Sequence, residues 1–167
     1  MKWLWLSVFF ITSFTMAAEN SKSEKENSQP PSWVEKVFLS KKLNEQYEFS
    51  FRISPSYLKG DFNGDKKADI AILIKEKKSG KNGIAIFHAV KNEVFIMGAG
   101  KELGNGGDDF YWMDIWSIYP KGPVHRGVGE TTIPVLKGDA LLVEKSESAS
   151  AIIYWNGKKY CWYQQGD

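Results

Sequence analysis

Oxygen-bearing side chains recur within a nine-residue stretch in the first half of the chain. Asp61, Asn63, Asp65 and Asp69 fall at its first, third, fifth and ninth positions, and Lys67 at the seventh supplies a backbone carbonyl. Calcium takes roughly six to eight hard oxygen ligands, which a tight loop with alternate acidic side chains can present. The spacing therefore predicts a calcium site formed by Asp61, Asn63, Asp65, Lys67 and Asp69.

The loop does not follow the EF-hand pattern, which requires a bidentate Glu at the twelfth position. That position is Ile72, inside an apolar run. A metal-free alternative stays open, because Asp and Asn also cap turns by bonding to their own backbone. Against it, the carboxylates of Asp61, Asp65 and Asp69 would repel one another without a cation. Calcium is the favoured interpretation.

The sequence around this loop carries a resemblance to a known family. Residues 60–65 read Gly-Asp-Phe-Asn-Gly-Asp and residues 69–73 read Asp-Ile-Ala-Ile-Leu. This segment resembles a single FG-GAP or VCBS-type repeat, and the resemblance implies calcium held by Asp61, Asn63, Asp65 and Asp69. The repeat usually has glycine where this chain has Lys66, and a left-handed backbone there costs a lysine about 1 kcal/mol. The remainder looks like a group of small exported bacterial proteins.

The densest aromatic and acidic stretch of the chain covers residues 108–119. On an alternating strand, Trp112, Asp114 and Trp116 share one face, so two indoles would flank a carboxylate as in a sugar-binding platform. The competing interpretation places these aromatic side chains in the core. Trp112, Asp114 and Trp116 are therefore candidate ligand-binding residues.

A second candidate site lies at His125, Arg126 and Glu130. A histidine near a glutamate can act as a general base, and an arginine can bind an anion through two hydrogen bonds. A cell-envelope hydrolase using His125 with Glu130, or with the stretch from Asp108 to Asp114, is thus the alternative function. No serine elbow, Cys–His pattern or paired-histidine motif supports it, so an enzyme is the less favoured class.

Composition limits the partners of the chain. The 167 residues carry a formal net charge of +2 and form no basic stripe, which disfavours nucleic acid and anionic membrane surfaces. The single cysteine, Cys161, excludes an intrachain disulfide, and its aromatic neighbours predict a buried, inert thiol. Stability must come from packing, helped by a metal.

The beginning of the chain has the features of a targeting segment. Residues 1–18 combine Lys2, an apolar run and small residues at the end, which together predict a signal peptide. The run is shorter than the roughly 20 residues that span a bilayer, although an uncleaved anchor helix is the alternative. Residues 19–31 are polar and predict a flexible linker. Residues 32–167 are left as a single β-rich domain, periplasmic or secreted.

Hydrophobic periodicity predicts the elements of this domain. A capping box of Ser32 and Glu35 opens a predicted helix over about residues 33–45. The period then changes to two, which is typical of strands. Strands are predicted at 47–53, 70–74, 84–90, 94–97, 110–119, 141–144, 152–155 and 159–164, with a mobile glycine-rich loop at 98–109 and a type I′ turn at 156–157.

The predicted fold is mainly β (α+β): a curved antiparallel sheet of about 6–8 strands with one N-terminal helix packed on it. The favoured function is an exported, non-catalytic binding or interaction domain that calcium stabilises. Its partner is expected to be an exported protein or a cell-wall glycan.

Overall fold

The structure, a computed structural model, describes residues 29–127, 129 and 131–166. The predicted signal peptide, most of the predicted linker and Glu130 lie outside these residues. Within them a helix is followed by nine strands in two antiparallel sheets. The mainly β class with an N-terminal helix is confirmed, but the expectation of one sheet of 6–8 strands is wrong.

Helix α1, Ser32–Ser40, is shorter than predicted. Lys42 adopts a left-handed backbone with φ of 56°, so the chain leaves the α-helix and makes a separate 3₁₀ turn at Leu43–Glu45. Pro31 lies at the N-cap and no side chain caps the helix, so the predicted capping box does not form. The buried face of α1 consists of Val34, Val37 and Phe38.

The first sheet has five strands, β1 Tyr47–Phe49, β2 Tyr57–Gly60, β3 Asp69–Glu76, β4 Asn82–His88 and β5 Glu93–Gly98. It is built around the long buried strand β3. Strand β1 pairs with the C-terminal half of β3, Phe49 opposite Ile74, and β2 pairs with its N-terminal half, Gly60 opposite Asp69. Strands β4 and β5 continue the sheet on the other side of β3.

The second sheet is a four-stranded antiparallel meander in sequence order. Its strands are β6 Ile115–Tyr119, β7 Ala140–Lys145, β8 Ala149–Trp155 and β9 Tyr160–Gly166. The predicted β8–β9 hairpin is confirmed, but its turn is not type I′, which needs positive φ at two residues. Gly157 has φ of 104°, whereas Asn156 caps the turn by accepting hydrogen bonds from the amides of Lys158 and Lys159 at 2.9 and 3.0 Å.

Two predicted strands are shorter than expected, and β2 was not predicted. The strand expected over 110–119 begins only at Ile115, because Phe110–Trp112 forms a 3₁₀ turn. The strand expected over 47–53 ends at Phe49. Beyond it, Arg52 donates hydrogen bonds to the carbonyls of Phe110 and Met113 at 2.6 and 2.8 Å, which draws the chain out of the sheet.

Apolar layers cover both faces of both sheets. The main core lies between the sheets, where Leu73 and Ile84 of the first sheet meet Leu141 and Ile153 of the second. Helix α1 covers the outer face of the first sheet. On the outer face of the second sheet a smaller cluster contains Val124, Leu136, Ala140, Ile152 and Tyr163. Burial on both faces explains why β3 is a continuous apolar run.

Cys161 differs from its prediction. It is half-buried on β9 rather than buried, because the neighbouring Tyr160 takes the inward-facing position of the strand. Its sulfur accepts a hydrogen bond from Nδ2 of Asn156 at 3.2 Å. No helix among the described residues has the length and apolar character needed to cross a membrane.

Candidate calcium-binding loop

The candidate loop connects strands β2 and β3. Gly60 and Asp69 face each other in the β2–β3 ladder, so residues 61–68 form the connection of a hairpin. The first and last candidate ligands, Asp61 and Asp69, therefore lie at the base of one loop. Both strands are held by the core, which fixes the two ends of the loop.

Asp61 organises the turn through both of its carboxylate oxygens. Its Oδ1 accepts hydrogen bonds from the amides of Gly64 and Asp65 at 2.8 and 3.0 Å, and its Oδ2 accepts one from the amide of Lys66 at 2.9 Å. This is the Asx-turn arrangement that the sequence left open. A carboxylate oxygen has two acceptor sites, and Oδ2 accepts only one of these bonds, so Oδ2 retains a site for a cation.

Asn63 and Asp65 extend the same network. The side-chain oxygen of Asn63 accepts from the amide of Asp65 at 2.9 Å, and Oδ1 of Asp65 accepts from the amide of Lys67 at 2.8 Å. Nδ2 of Asn63 donates to Oδ2 of Asp65 at 3.2 Å. The oxygens of the first, third and fifth loop positions are thus oriented by backbone amides.

Lys66 adopts the left-handed backbone that the resemblance implied at its position. Its φ is 66°, and that of Gly64 is 83°. A lysine has a Cβ that makes this conformation unfavourable, whereas glycine tolerates it. The loop therefore carries local strain at Lys66.

Asp69 is the most unusual residue of the loop. Its side chain is completely buried, with 0% exposure. Its Oδ1 accepts a hydrogen bond from the amide of Ala89 at 3.0 Å, whereas its Oδ2 is buried without any hydrogen-bond partner. A buried polar atom without a partner costs about 1–3 kcal/mol. An ion or another polar atom at Oδ2 would remove this cost.

The pKa of Asp69 reflects the same environment. Burial, the largest cause, and the negative charges of Asp65 and Asp61 together raise the pKa of its carboxyl to about 6, although the amides of Ala89 and Asn63 act in the opposite direction. The Asn63 amide is close enough to affect this pKa but makes no hydrogen bond of normal geometry to Asp69. The charges of the other acidic residues of the loop thus act on this carboxyl.

The carboxylates do not form a metal site on their own. Within the described part of the chain, no three Asp, Glu, His or Cys side chains lie close enough together to hold a metal ion. A cation in this loop would also need neutral oxygens, and the Asn63 side chain and the Lys67 carbonyl are of that kind. Such a mixed oxygen set is the type that calcium accepts.

The second sheet contacts this loop through the segment before β7. The amide of Asp139 donates to the carbonyl of Asp61 at 2.7 Å, and Oδ2 of Asp139 accepts from the amide of Asp61 at 3.0 Å. A Cβ on Gly138 would lie 2.0 Å from the same carbonyl, so only glycine fits. Sequence reasoning missed Asp139 and Gly138, because nothing in the local pattern links them to a loop 78 positions away.

A buried polar pair, His88 and Tyr160, lies at the C-terminal end of strand β4, next to the Ala89 amide that bonds to Asp69. Nε2 of His88 lies 2.7 Å from the hydroxyl of Tyr160, which joins the two sheets. Burial lowers the pKa of His88. Burial raises the pKa of Tyr160 well above its usual range, and the charges of Asp69 and Asp61 raise it further. Tyr160 therefore belongs to the surroundings of the loop.

The structure does not place Trp112, Asp114 and Trp116 on one strand face. Trp116 is 2% exposed and lies in the main core, where its indole donates to the carbonyl of Pro55. Trp112 lies in the 3₁₀ turn and packs edge-on against Trp162 at 5.9 Å between ring centroids. These two indole side chains pack against other parts of the fold and do not form a binding surface around Asp114.

The side chain of Asp114 is held by hydrogen bonds to Lys145 and Ser146. It accepts hydrogen bonds from Nζ of Lys145 at 2.9 Å and from the amide of Ser146 at 2.8 Å. The Lys145 ammonium, followed by the Ser146 donors, lowers the pKa of Asp114 to about 2. Through these hydrogen bonds, Asp114 connects the start of β6 to the β7–β8 turn.

The residues proposed for a hydrolase bond to different neighbouring residues. His125 is exposed, and its carbonyl accepts a hydrogen bond from Gln165, while Arg126 donates to the carbonyl of Thr131. Asp108 pairs with Lys81, at the start of β4. Among the hydrogen bonds of the described residues, none joins His125 to a carboxylate of the stretch 108–114.

The chain was compared with protein families, curated proteins and solved structures, and none of the three comparisons found a match. Function must therefore be argued from the site alone.

Proposed function

We propose that the protein is an exported, non-catalytic binding or interaction domain, and that a calcium ion in the loop of Asp61, Asn63, Asp65, Lys67 and Asp69 stabilises it. The observation that carries this proposal is Oδ2 of Asp69, a completely buried carboxylate oxygen without a hydrogen-bond partner, on which the negative charges of Asp65 and Asp61 also act. A cation is the simplest group that satisfies such an oxygen.

The position of the loop supports a structural role for the ion. The loop begins at β2, ends at the first residue of the central strand β3, and bonds through Asp61 to Asp139, which directly precedes strand β7 of the second sheet. An ion bound here would hold together three segments of the folded chain. An ion that binds only the folded state stabilises it in proportion to ln(1 + [L]/Kd).

A non-catalytic role has more support than hydrolysis. The oxygens of Asp109 and Asp114 accept backbone hydrogen bonds that shape their own turns, and Asp108 is paired with a lysine. Among the described residues, no hydrogen bond joins His125 to a carboxylate of the stretch 108–114. Asp108, Asp109 and Asp114 thus stabilise turns and ion pairs, which supports a structural role for them.

The test is thermal unfolding of the purified protein in EGTA and in about 5 mM calcium chloride. Extracellular calcium modules have Kd values of about 10⁻⁴–10⁻³ M, so the expected gain is about 1–2 kcal/mol. This corresponds to a rise in Tm of roughly 3–8 °C for a domain of this size. The variant Asp69→Asn should lose the rise, and the matched control Glu48→Gln, an exposed residue of β1, should keep it. Equal Tm values in EGTA and calcium would refute the proposal.

A further inference from the structure

A polar groove lies at the opposite end of β3 from the calcium loop. It has a volume of about 370 Å³ and is lined by Ser50, Arg52, Lys75, Gly80, Asn82, Asp109 and Tyr111. Its size falls within the range of sites for small ligands, which starts at about 300 Å³. Residues 69–75 of β3 separate it from Asp69 by roughly 20 Å along the strand. The groove is therefore a site distinct from the loop.

Tyr111 presents an aromatic ring to solvent beside this groove. Its side chain is 70% exposed, which is unusual for a large aromatic residue in a fold whose other tryptophans and phenylalanines are mostly covered. Its backbone is fixed, because the amide of Tyr111 donates to Oδ1 of Asp109 at 3.0 Å. The ring is thus exposed on a backbone position that is held in place, and an exposed aromatic face is what a stacking surface for a ligand requires.

Arg52 supports the ring from below. Its guanidinium lies 5.5 Å from the centroid of Tyr111, a cation–π distance. The two terminal nitrogens of Arg52 donate to the carbonyls of Met113 and Phe110 at 2.8 and 2.6 Å, so the guanidinium cannot swing away. The groove is preorganised at this end, which lowers the entropic cost of binding.

The remaining lining combines positive charge with hydrogen-bonding groups. Lys75 is exposed on β3 and makes no ion pair with the carboxylates of the described residues. Ser50 lines the groove with a hydroxyl and Asp109 with a carboxylate whose Oδ1 accepts from the amides of Asn82 and Tyr111, which leaves Oδ2 for a ligand. Hydroxyl groups of a sugar both donate and accept hydrogen bonds, so they match a set that contains donors and acceptors.

We infer that this groove binds an oligosaccharide that carries a carboxylate, with a sugar ring stacked on Tyr111 and the carboxylate at Lys75. A peptide is less suited, because Tyr111 is the one aromatic or aliphatic side chain of the lining. The inference gives a ligand class to the binding role proposed above and rests on that role, but it does not depend on the calcium ion.

The test uses the disaccharide of N-acetylglucosamine and N-acetylmuramic acid, whose lactyl group supplies the carboxylate. It is titrated into isotopically labelled protein while amide NMR shifts are followed. The neutral control is di-N-acetylchitobiose, which has the same sugar backbone without the carboxylate. We expect shifts at Tyr111, Asn82 and Gly80, and at least about tenfold weaker binding of the neutral sugar.

Matched variants separate the two contacts. Tyr111→Ala should weaken binding about three- to tenfold through lost stacking, and Lys75→Gln should weaken the acidic disaccharide but not the neutral one. Lys158→Gln, a lysine exposed in the β8–β9 turn, should bind like the unmodified protein. Because Tyr111 and Lys75 are exposed, these variants should retain the amide spectrum of the folded protein.

Several results would overturn the inference. These are no shift with the acidic disaccharide, shifts located away from the groove, equal binding of the neutral sugar, or tighter binding of an N-acetylated trialanine peptide with a free carboxylate. Titrations in EGTA and in calcium should agree, since the groove and the loop are separate. A calcium-dependent Tm without sugar binding would leave the calcium proposal standing and remove only this one.

Discussion

Asp69 combines complete burial with a missing hydrogen bond, and the two together determine how its substitution should behave. Asp69→Asn keeps an oxygen for the Ala89 amide but removes the negative charge, whose burial is unfavourable and raises the pKa of the carboxyl. In EGTA the variant should therefore be at least as stable as the original, by up to about 1 kcal/mol. In calcium it should be less stable, because it cannot gain from the ion.

The difference in free energy of unfolding between the variant and the original protein should therefore change sign between EGTA and calcium, and urea unfolding of both proteins in the two buffers measures it. Asp65→Asn serves as a control for charge, because Asp65 is exposed and its loss should have little effect in EGTA. If Asp69→Asn is destabilised equally in both buffers, the Asp69 carboxylate contributes to stability without calcium, and the predicted reversal of sign is wrong.

Lys66 offers a second prediction, because its backbone is strained. Replacement by glycine removes an unfavourable left-handed conformation of about 1–2 kcal/mol but adds about 0.4–1 kcal/mol of unfolded-state entropy. Lys66→Gly should thus raise the free energy of unfolding by about 0.5–1 kcal/mol, with or without calcium. Lys67→Gly is the matched control, since it removes the same charge where φ is not positive, and it should destabilise. Equal effects of the two variants would contradict the strain argument.

At the scale of elements, hydrophobic periodicity predicted the strands and hairpins whose positions depend on residues close in sequence. The apolar run of β3 and the β4–β5 and β8–β9 hairpins are found where periodicity placed them. Helix α1 stops early at Lys42, and β1 stops at Phe49, through a backbone conformation and an arginine contact that no periodicity records. The division into two sheets depends on contacts between distant segments.

The same distinction between contacts close in sequence and contacts between distant segments applies to the candidate site. The donors of the loop could be named from their spacing, because Asp61 to Asp69 are contiguous in sequence. Asp139 and Gly138 could not, since they approach the loop only after the sheets have packed. Likewise, Tyr111 was expected on a strand and acquires its exposure from the 3₁₀ turn at Phe110–Trp112.

Gly138 tests the contact between the loop and the second sheet. Its backbone has no positive φ, so the cost of adding a methyl group comes from the clash with the Asp61 carbonyl at 2.0 Å. Gly138→Ala should lower the free energy of unfolding by about 3 kcal/mol, at the upper end of the range for overpacking. Calorimetry would measure this, with Gly122→Ala as the control, because a Cβ there meets nothing closer than 3.8 Å. A Gly138→Ala protein as stable as the control would show that the segment moves freely.

At the scale of the molecule, both sheets share one core and one loop connects to both. Leu73 and Ile153 lie in the same apolar cluster, and Asp61 bonds to Asp139 at the edge of that cluster. A local event at the loop therefore acts on elements that unfold together. Calcium should change the stability of the whole described fold and not only the order of residues 61–69.

Hydrogen exchange followed by mass spectrometry distinguishes these cases. If the ion stabilises the whole fold by about 1–2 kcal/mol, its removal with EGTA should accelerate exchange of the slowest segments about 5- to 30-fold. The factor should be similar for peptides covering β3 and β8, because both exchange through global unfolding. Asp69→Asn provides the control, since EGTA should leave its exchange unchanged. Acceleration confined to peptides of the loop and of residues 136–139 would mean that the ion orders only its own site, and the two sheets would then owe their association to the apolar core alone.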